Sequence, residues 1–393
     1  MPPRLGILDF NPIQYHTPLY QLISKRARVD LDVLFLTTRG SSPALDEGFG
    51  LRVAWDIDLL SGYRHQFLRT SQKFGGGFLR VRALTGWISR HDVIVIHGYA
   101  NPWMLMAVAI CSVLRTPFLL RGDSQPEGPS RGMRRLARRM VVQVVVRQAA
   151  GALSIGRQND SFYRLHGARQ IFFAPYSVDN DRFAVPPSTG REQILRRWNL
   201  DSDALLIVFC GKLIQRKRPL DLTAAIRLVD RPLNVLYVGD GALADQVRSS
   251  LPSRRGAVTG FVNQMELPAY LHAADILVLP SETEPWGLVV NEAMAAGTLP
   301  VVADHVGSGP DLVDGIGEIY RCGDVAGLAA ALRRAIKKLS DPSTRETVKR
   351  HVARYSLEHT AHGFEQAAFG VHTLDTHGSP AQDLTPSAHV RQC

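Results

Sequence analysis

Two doubly wound α/β units are the architecture this sequence predicts, on three observations. The chain has 393 residues, beyond the roughly 250–300 at which a single hydrophobic core stops growing, so two domains are expected. Short β-branched apolar runs alternate with helix-length amphipathic segments along it, the pattern of parallel sheets covered by helices on both faces. A turn-rich stretch, Ala184-Val185-Pro186-Pro187-Ser188-Thr189-Gly190, divides that pattern in two.

The elements follow in order. Leu5–Phe10, Leu31–Leu36, Val93–Ile96, Phe118–Leu120 and Ala152–Ile155 read as buried strands of the first half. Leu205–Cys210, Val235–Val238, Ala257–Phe261, Ile276–Leu279 and Leu299–Val302 read so in the second. Helical patterns such as Met104–Leu114 and Pro219–Val229 lie between strands. Residues 1–185 are thus expected to form one domain and residues 186–350 another. A helix is expected near Leu357–Phe369, within residues 351–369, and the polar stretch 370–393 is predicted to be a disordered tail.

Composition excludes several classes. The four cysteines, Cys111, Cys210, Cys322 and Cys393, are scattered without metal-like spacing, so free thiols of a reducing compartment are expected. Met1-Pro2-Pro3-Arg4 runs straight into a strand pattern and has no signal-peptide layout. The longest apolar stretch, Pro102–Leu114, falls short of the ~20 residues a transmembrane helix needs. A cytoplasmic protein is expected. The net charge of +10 is uneven: residues 1–183 carry 24 Lys and Arg against 13 Asp and Glu, a net +11, and the rest carries −1. Such asymmetry suits a first half that faces an anionic partner.

The segment Glu284-Pro285-Trp286-Gly287-Leu288-Val289-Val290-Asn291-Glu292 carries the chemistry. It joins the strand pattern Ile276–Leu279 to a helical run that Gly297 stops, so two carboxylates stand at a strand-to-helix junction. Open α/β sheets bind ligands at such places, and the helix start offers free N–H groups to an anion. Carboxylates would repel a phosphate there, so the glutamates point to neutral donors such as sugar hydroxyls. A nucleotide sugar combines both. Upstream, Cys210-Gly211-Lys212-Leu213-Ile214-Gln215-Arg216-Lys217 follows another strand, and Lys212 and Lys217 suit a diphosphate and its leaving-group charge. A basic surface turn is the bland reading of the same residues. Gly239-Asp240-Gly241 is a tight strand-to-helix turn of low specificity. Gly260-Phe261-Val262-Asn263 suits the wall of a base pocket, or an ordinary turn with a core Phe261. Gly307 and Ser308 suit a phosphate at a further helix start, while Asp311 suits a cap.

In this order and spacing, the segments from about Leu205 to Asp324 resemble the family-4, or group 1, retaining glycosyltransferases. That resemblance implies the GT-B fold, two Rossmann-like domains whose parallel sheets face a central cleft, with a last helix crossing back to the first domain. It implies that Lys212 and Lys217 grip the donor diphosphate, with Lys212 standing where arginine is usual. Glu292 would hold the nucleotide ribose and Glu284 the transferred sugar. Gly211, Gly239, Gly241, Val262, Gly287, Leu288 and Val289 would line the donor. The activity implied is metal-independent hexosyl or related transfer from a UDP- or GDP-linked sugar, with no cofactor, to a glycan or lipid-linked acceptor of envelope polysaccharide synthesis. The first half departs from the family. Where a glycine-rich loop is frequent it has Phe10-Asn11-Pro12-Ile13-Gln14-Tyr15-His16, and Arg121-Gly122-Asp123 replaces a histidine after a middle strand. Gln14, His16 and His97 are its acceptor-side candidates.

Arg131, Arg134, Arg135, Arg138 and Arg139 share one helical face opposite Met133, Leu136 and Met140. A basic amphipathic helix suits an anionic membrane surface, and a solvated face on a packed helix suits it equally. No nucleic-acid motif accompanies the charge. Two other functions share these features. A sugar-nucleotide epimerase of the same fold would need an acid/base pair across the donor sugar. A non-catalytic nucleotide-sugar binder would dock on membrane without turnover.

Overall fold

The computed structural model describes residues 1–68, 76–126, 133–252 and 254–376. In the first part of the chain the strands are β1 (Arg4–Asp9), β2 (Asp30–Phe35), β3 (Ala44–Asp46), β4 (Leu51–Val53), β5 (His65–Phe67), β6 (Val93–His97), β7 (Phe118–Arg121), β8 (Gly151–Ser154) and β9 (Ile171–Phe173). Seven form a parallel sheet in the order β5-β2-β1-β6-β7-β8-β9, while β3 and β4 pair as a separate antiparallel hairpin. The second sheet contains β10 (Leu205–Cys210), β11 (Leu233–Val238), β12 (Gly256–Val258), β13 (Ile276–Leu279), β14 (Leu299–Ala303) and β15 (Glu318–Tyr320). Its order is β12-β11-β10-β13-β14-β15, again all parallel.

The helices are α1 (Thr17–Arg26), α2 (Gly76–Ile88), α3 (Pro102–Leu114), α4 (Met133–Gln148), α5 (Arg157–Leu165), α6 (Asn180–Ala184), α7 (Arg191–Arg197), α8 (Pro219–Ile226), α9 (Ala244–Ser250), α10 (Leu267–Ala273), α11 (Leu288–Ala295), α12 (Val325–Lys338), α13 (Thr344–Val352) and α14 (Leu357–Thr376). Helices on both faces explain why central strands lack polar alternation: Leu5 to Asp9 and all of β11 are buried. One core fills the second sheet's layers, and two smaller ones cover the faces of the first.

Strand order decides where ligands can sit. Each sheet reverses direction of winding beside its first strand, between β1 and β6 and between β10 and β13. The crevice beyond the carboxyl ends at such a switch point is the binding position of open α/β sheets.

Several boundaries differ from the sequence expectation. β12 stops at Val258 rather than Phe261, because Gly260 turns the chain at φ 76°. Strands β5, β9 and β15, three residues each, are additions at sheet edges. α14 runs on to Thr376, past Phe369, and residues 377–393 lie outside the described ones, Cys393 among them. It packs on the first sheet: Ala361, Phe364, Ala367, Ala368 and Val371 join the core of Leu5, Ile7 and Val95. Arg26 of α1 grips Glu365 of α14 through two bonds of 2.7 and 2.9 Å. The two passages between the halves run side by side. Val178 bridges to Ser356, the Ser177 and Thr360 hydroxyls lie 2.7 Å apart, and Thr360 Oγ1 donates to the Pro175 carbonyl at 2.7 Å.

The arginine-bearing helix packs through its C-terminal half. α4 buries Val142, Val145, Val146 and Ala149, whereas Leu136 and Met140 are 61% and 59% exposed. Those two apolar residues therefore share the surface with exposed Arg138 and Arg139. Arg131 lies outside the described residues. No helix among the described residues is long and apolar enough to cross a membrane.

Candidate active site

The β13–α11 junction is built on Gly287, whose φ of 89° places the chain in the left-handed region just before the helix. The amides of Leu288 and Val289 then open the helix with no intrahelical acceptor. Trp286, 4% exposed, fixes the loop: its Nε1 donates to Asn291 Oδ1 at 2.9 Å, and Asn291 donates to the Tyr176 carbonyl at 3.2 Å. Gly307 N donates to the Glu284 carbonyl at 2.9 Å. The Glu284 side chain, anchored this way, pairs with Lys217 and accepts from Ser281 Oγ at 3.4 Å. Sugar hydroxyls and a diphosphate would thus meet a carboxylate and an ammonium already side by side.

Glu292 lies one turn into α11 and is 1% exposed, and its Oε1 has no hydrogen-bond partner among the described residues. Burial pushes its carboxyl up to about 8, against the pull of Arg182 and of the Tyr15 hydroxyl. A buried acceptor without a donor is unfavourable in isolation. It is the kind of group a ligand's hydroxyls satisfy.

Beyond β10, Gly211 N donates to the Val238 carbonyl at 2.9 Å. A Cβ on Gly239 would stand 1.9 Å from the Gly211 carbonyl oxygen, so the two strand-end loops touch only because Gly239 has none. A Cβ on Gly241 would stand 2.7 Å from the carbonyl oxygen of Leu213, whose amide donates to the Asp240 carbonyl at 2.8 Å. Gly239 and Gly241 are accounted for by this backbone packing, which sets the position of the lysine turn. A 3-10 turn over Gln215–Lys217 aims Lys217 at Glu284. Lys212 goes elsewhere: its Nζ reaches Asp46 of the first domain at 2.7 and 2.9 Å. Val262 packs on the second core, and Phe261 is half-buried against Phe49 and Trp55 of the first domain rather than in the core. Ser308 is fully buried with an unpartnered Oγ, and Asp311 caps the start of α5, accepting from Arg157 N at 3.1 Å and from Tyr355 OH at 3.0 Å.

Across the cleft, at the switch point of the first sheet, Asp9 closes β1. Its Oδ2 accepts from Tyr20 OH at 2.7 Å and lies 2.7 Å from His16 Nδ1. Burial works against the charge, yet His16, His97 and the Tyr20 hydroxyl hold the Asp9 carboxyl well below the usual carboxylate range. His97 ends β6 with its ring 4.7 Å from that of His16, and burial pushes it down to about 3, so it is neutral at ordinary pH. One atom each of Asp9, His16 and His97 lies within 4.8 Å of the others. Hydrogen bonds link these groups to one another and to Tyr20. Gln14 is half-buried beside Tyr15, whose ring packs against the second domain near Glu292.

Arg121 stands where the family resemblance implied a histidine, and it is buried. It is 2% exposed, donates from Nη1 to the Ala174 carbonyl at 2.7 Å, and stacks on Tyr176 and Phe364 at 5.1 and 4.9 Å. Asp123 is the cleft residue of that loop. It is solvent-accessible, but partial desolvation at the cleft raises its carboxyl, and the charge of Glu284 adds to the effect. Sequence reading passed over Asp9, Tyr20, Asp46, Phe49 and Asp123; a carboxylate closing the first strand was the one available signal, for Asp9.

Residues 204–338 match the family model described as glycosyl transferases group 1. The chain carries a group 1 glycosyl transferase domain. Within that domain lie β10 to β15 and both glutamates. The chain is 29% identical over 184 residues to the putative teichuronic acid biosynthesis glycosyltransferase TuaC of Bacillus subtilis, covering 47% of this chain and 41% of that protein. It is 39% identical over 146 residues to the glycogen synthase of Mycobacterium tuberculosis, covering 35% and 34%. The match therefore spans less than half the length of these relatives. The group 1 domain and its partner together superpose on the Anabaena protein HepE, solved in complex with UDP, with a TM-score of 0.71 over 93% of this chain and all of that one. At 16% identity the likeness establishes the fold, GT-B.

Proposed function

We propose that this protein is a retaining glycosyltransferase that moves a sugar from a UDP- or GDP-linked donor to an acceptor hydroxyl in envelope or lipid-linked polysaccharide synthesis. One observation carries the reading. The Lys217–Glu284 pair and the α11 amides stand at the switch point of the second sheet, facing the Asp9, His16 and His97 group at the switch point of the first. In this mechanism Glu292 accepts from the ribose hydroxyls and Glu284 orients the transferred sugar. The bond from the anomeric carbon to the diphosphate oxygen breaks with its electron pair on that oxygen. Lys217, Lys212 and the helix-start amides stabilise the charge that develops there. The acceptor oxygen bonds the anomeric carbon on the same face, and its proton passes to the departing phosphate. Gln14, His16 and His97 line the side from which the acceptor arrives. Closure of the halves excludes water and limits hydrolysis.

The test is a thermal-shift screen of UDP, GDP, ADP and their common sugars, since a ligand bound only by the folded state at a hundred times its Kd adds about 2.7 kcal/mol of stability. One nucleotide family should raise the melting temperature, and its sugar should be transferred with the anomeric configuration retained. No shift with any of them would overturn the donor reading. Appearance of an epimer from nucleotide sugar without acceptor would favour the epimerase.

The first domain supports a cytoplasmic, peripheral-membrane placement as part of the same proposal. On α4, exposed Leu136, Met140, Val141 and Val144 accompany exposed Arg138 and Arg139. An apolar stripe beside basic residues suits an anionic bilayer, with about 1 kcal/mol from each basic residue near the surface. The protein should co-sediment with vesicles containing anionic lipid and not with neutral ones. The double variant Leu136→Asp, Met140→Asp should remain in the supernatant, and equal sedimentation of both proteins would remove the assignment.

A further inference from the structure

The β3–β4 hairpin stands apart from both sheets, yet its turn and the segment after β4 are tied to the second domain. Asp46 lies at its turn. The carboxylate accepts from the amides of Gly48 and Phe49 at 2.9 and 3.1 Å, which folds the tip back on itself. Both of its oxygens also hold Lys212 Nζ, at 2.7 and 2.9 Å. Lys212 Nζ also sits 5.0 Å from the centre of the Phe49 ring. The approach is close enough that a Cβ on Gly48 would stand 2.5 Å from Lys212 Cδ. Phe49 in turn meets Phe261 edge to face at 5.0 Å. Two hydrogen bonds pin the segment that follows: Asn263 Nδ2 donates to the Ala54 carbonyl at 2.7 Å, and Met265 N donates to Asp56 at 3.1 Å.

These contacts fall on the second-domain groups that the proposed function gives to the donor, and this inference rests on that reading. Lys212 is a diphosphate ligand in it, and the turn at Phe261 and Val262 suits the wall of the base pocket. A carboxylate gripped by an ammonium through both oxygens uses the same donors as a phosphate. An aromatic ring laid against Phe261 covers the same apolar surface as a nucleobase. Diphosphate and Asp46 would repel each other across Lys212, so the two compete for it.

We infer that the hairpin is an internal stand-in for the nucleoside diphosphate, with Asp46 in place of the phosphates on Lys212 and Phe49 in place of the base on Phe261. A nucleoside diphosphate enters by exchanging with the hairpin. Asp46 and Phe49 thereby set the apparent affinity for the donor, because part of every binding event is spent on releasing them.

The test is an equilibrium titration of UDP, GDP and ADP into the full chain, at low and at high salt, for wild type, Asp46→Asn, Phe49→Ala and Glu47→Gln. Glu47 is exposed on the same turn and, among the described contacts, is not paired with Lys212, so it controls for loss of one negative charge. For the diphosphate that binds best, Asp46→Asn should lower Kd by about threefold to fivefold at low salt, and by less at high salt, given what a part-exposed ion pair contributes. Phe49→Ala should lower it too, and Glu47→Gln should change it by less than about twofold. Each variant's melting temperature reports folding independently. Unchanged or weakened binding in Asp46→Asn would overturn the inference and leave the donor reading standing. No binding of any diphosphate to wild type or variants would overturn both.

Discussion

Replacing Lys217 by alanine should lower kcat by about 100- to 1000-fold, the size of effect seen when one donor aimed at a developing anion is removed. Lys217 is the cation closest to Glu284 and stands beside the free amides of α11, so leaving-group charge develops within its reach. In the variant Glu284 keeps its charge and loses its partner, which adds repulsion against the departing diphosphate. Donor KM should move far less than kcat, because the ground-state diphosphate retains the helix amides. Lys217→Arg should restore part of the rate, since charge rather than packing is lost. Steady-state kinetics on both variants, with melting curves to confirm folding, would check this; a kcat equal to wild type would remove Lys217 from the reaction.

A second large effect is expected at Glu292. Glu292→Ala should raise the Kd for the nucleoside diphosphate by about tenfold to a hundredfold, the worth of two hydrogen bonds to a buried carboxyl. Glu292→Gln isolates the proton. The folded-state value of Glu292, about 8, lies above its ordinary value of 4.5. Its protonated form is therefore the one the fold favours. The stability it contributes is fully present below the ordinary value and is lost as pH rises through about 8. Glutamine has no proton to lose. The melting temperature of Glu292→Gln relative to wild type should therefore climb between about pH 5 and pH 9. A difference that stays flat across that range would show that the carboxyl is not held neutral.

Much of the fold was legible because its strands announce themselves chemically. Leu205–Cys210 and Ile276–Leu279 are unbroken apolar runs bounded by Gly211 and Pro280, and the observed strands have those limits. The strands His65–Phe67 and Glu318–Tyr320 were not legible: each has three residues and a polar member, and its neighbour supplies the pairing. Within the cleft, Glu284 and Glu292 declared themselves through a junction whose residues are consecutive. Asp46 could not. Its partner Lys212 is 166 residues away, and only the folded chain makes them neighbours. Arg121 was legible only as a departure from the family's histidine, because the carbonyls of Ala174 and Pro175 and the two aromatic rings that hold it lie far along the chain. Leu136 and Met140 show the converse. Helical spacing places apolar residues on one side and does not say whether anything covers them.

The paired passages between the halves have a mechanical consequence. Two strands of chain bonded at Val178–Ser356 and at Ser177–Thr360 define a line rather than a point. Sliding or twisting one domain over the other would shear those bonds, whereas rotation about the line leaves them intact. The cleft can therefore open as a book opens along its spine. Asp46 and Lys212 then lie on facing pages, and one rotation would both part them and admit the diphosphate that takes Asp46's place.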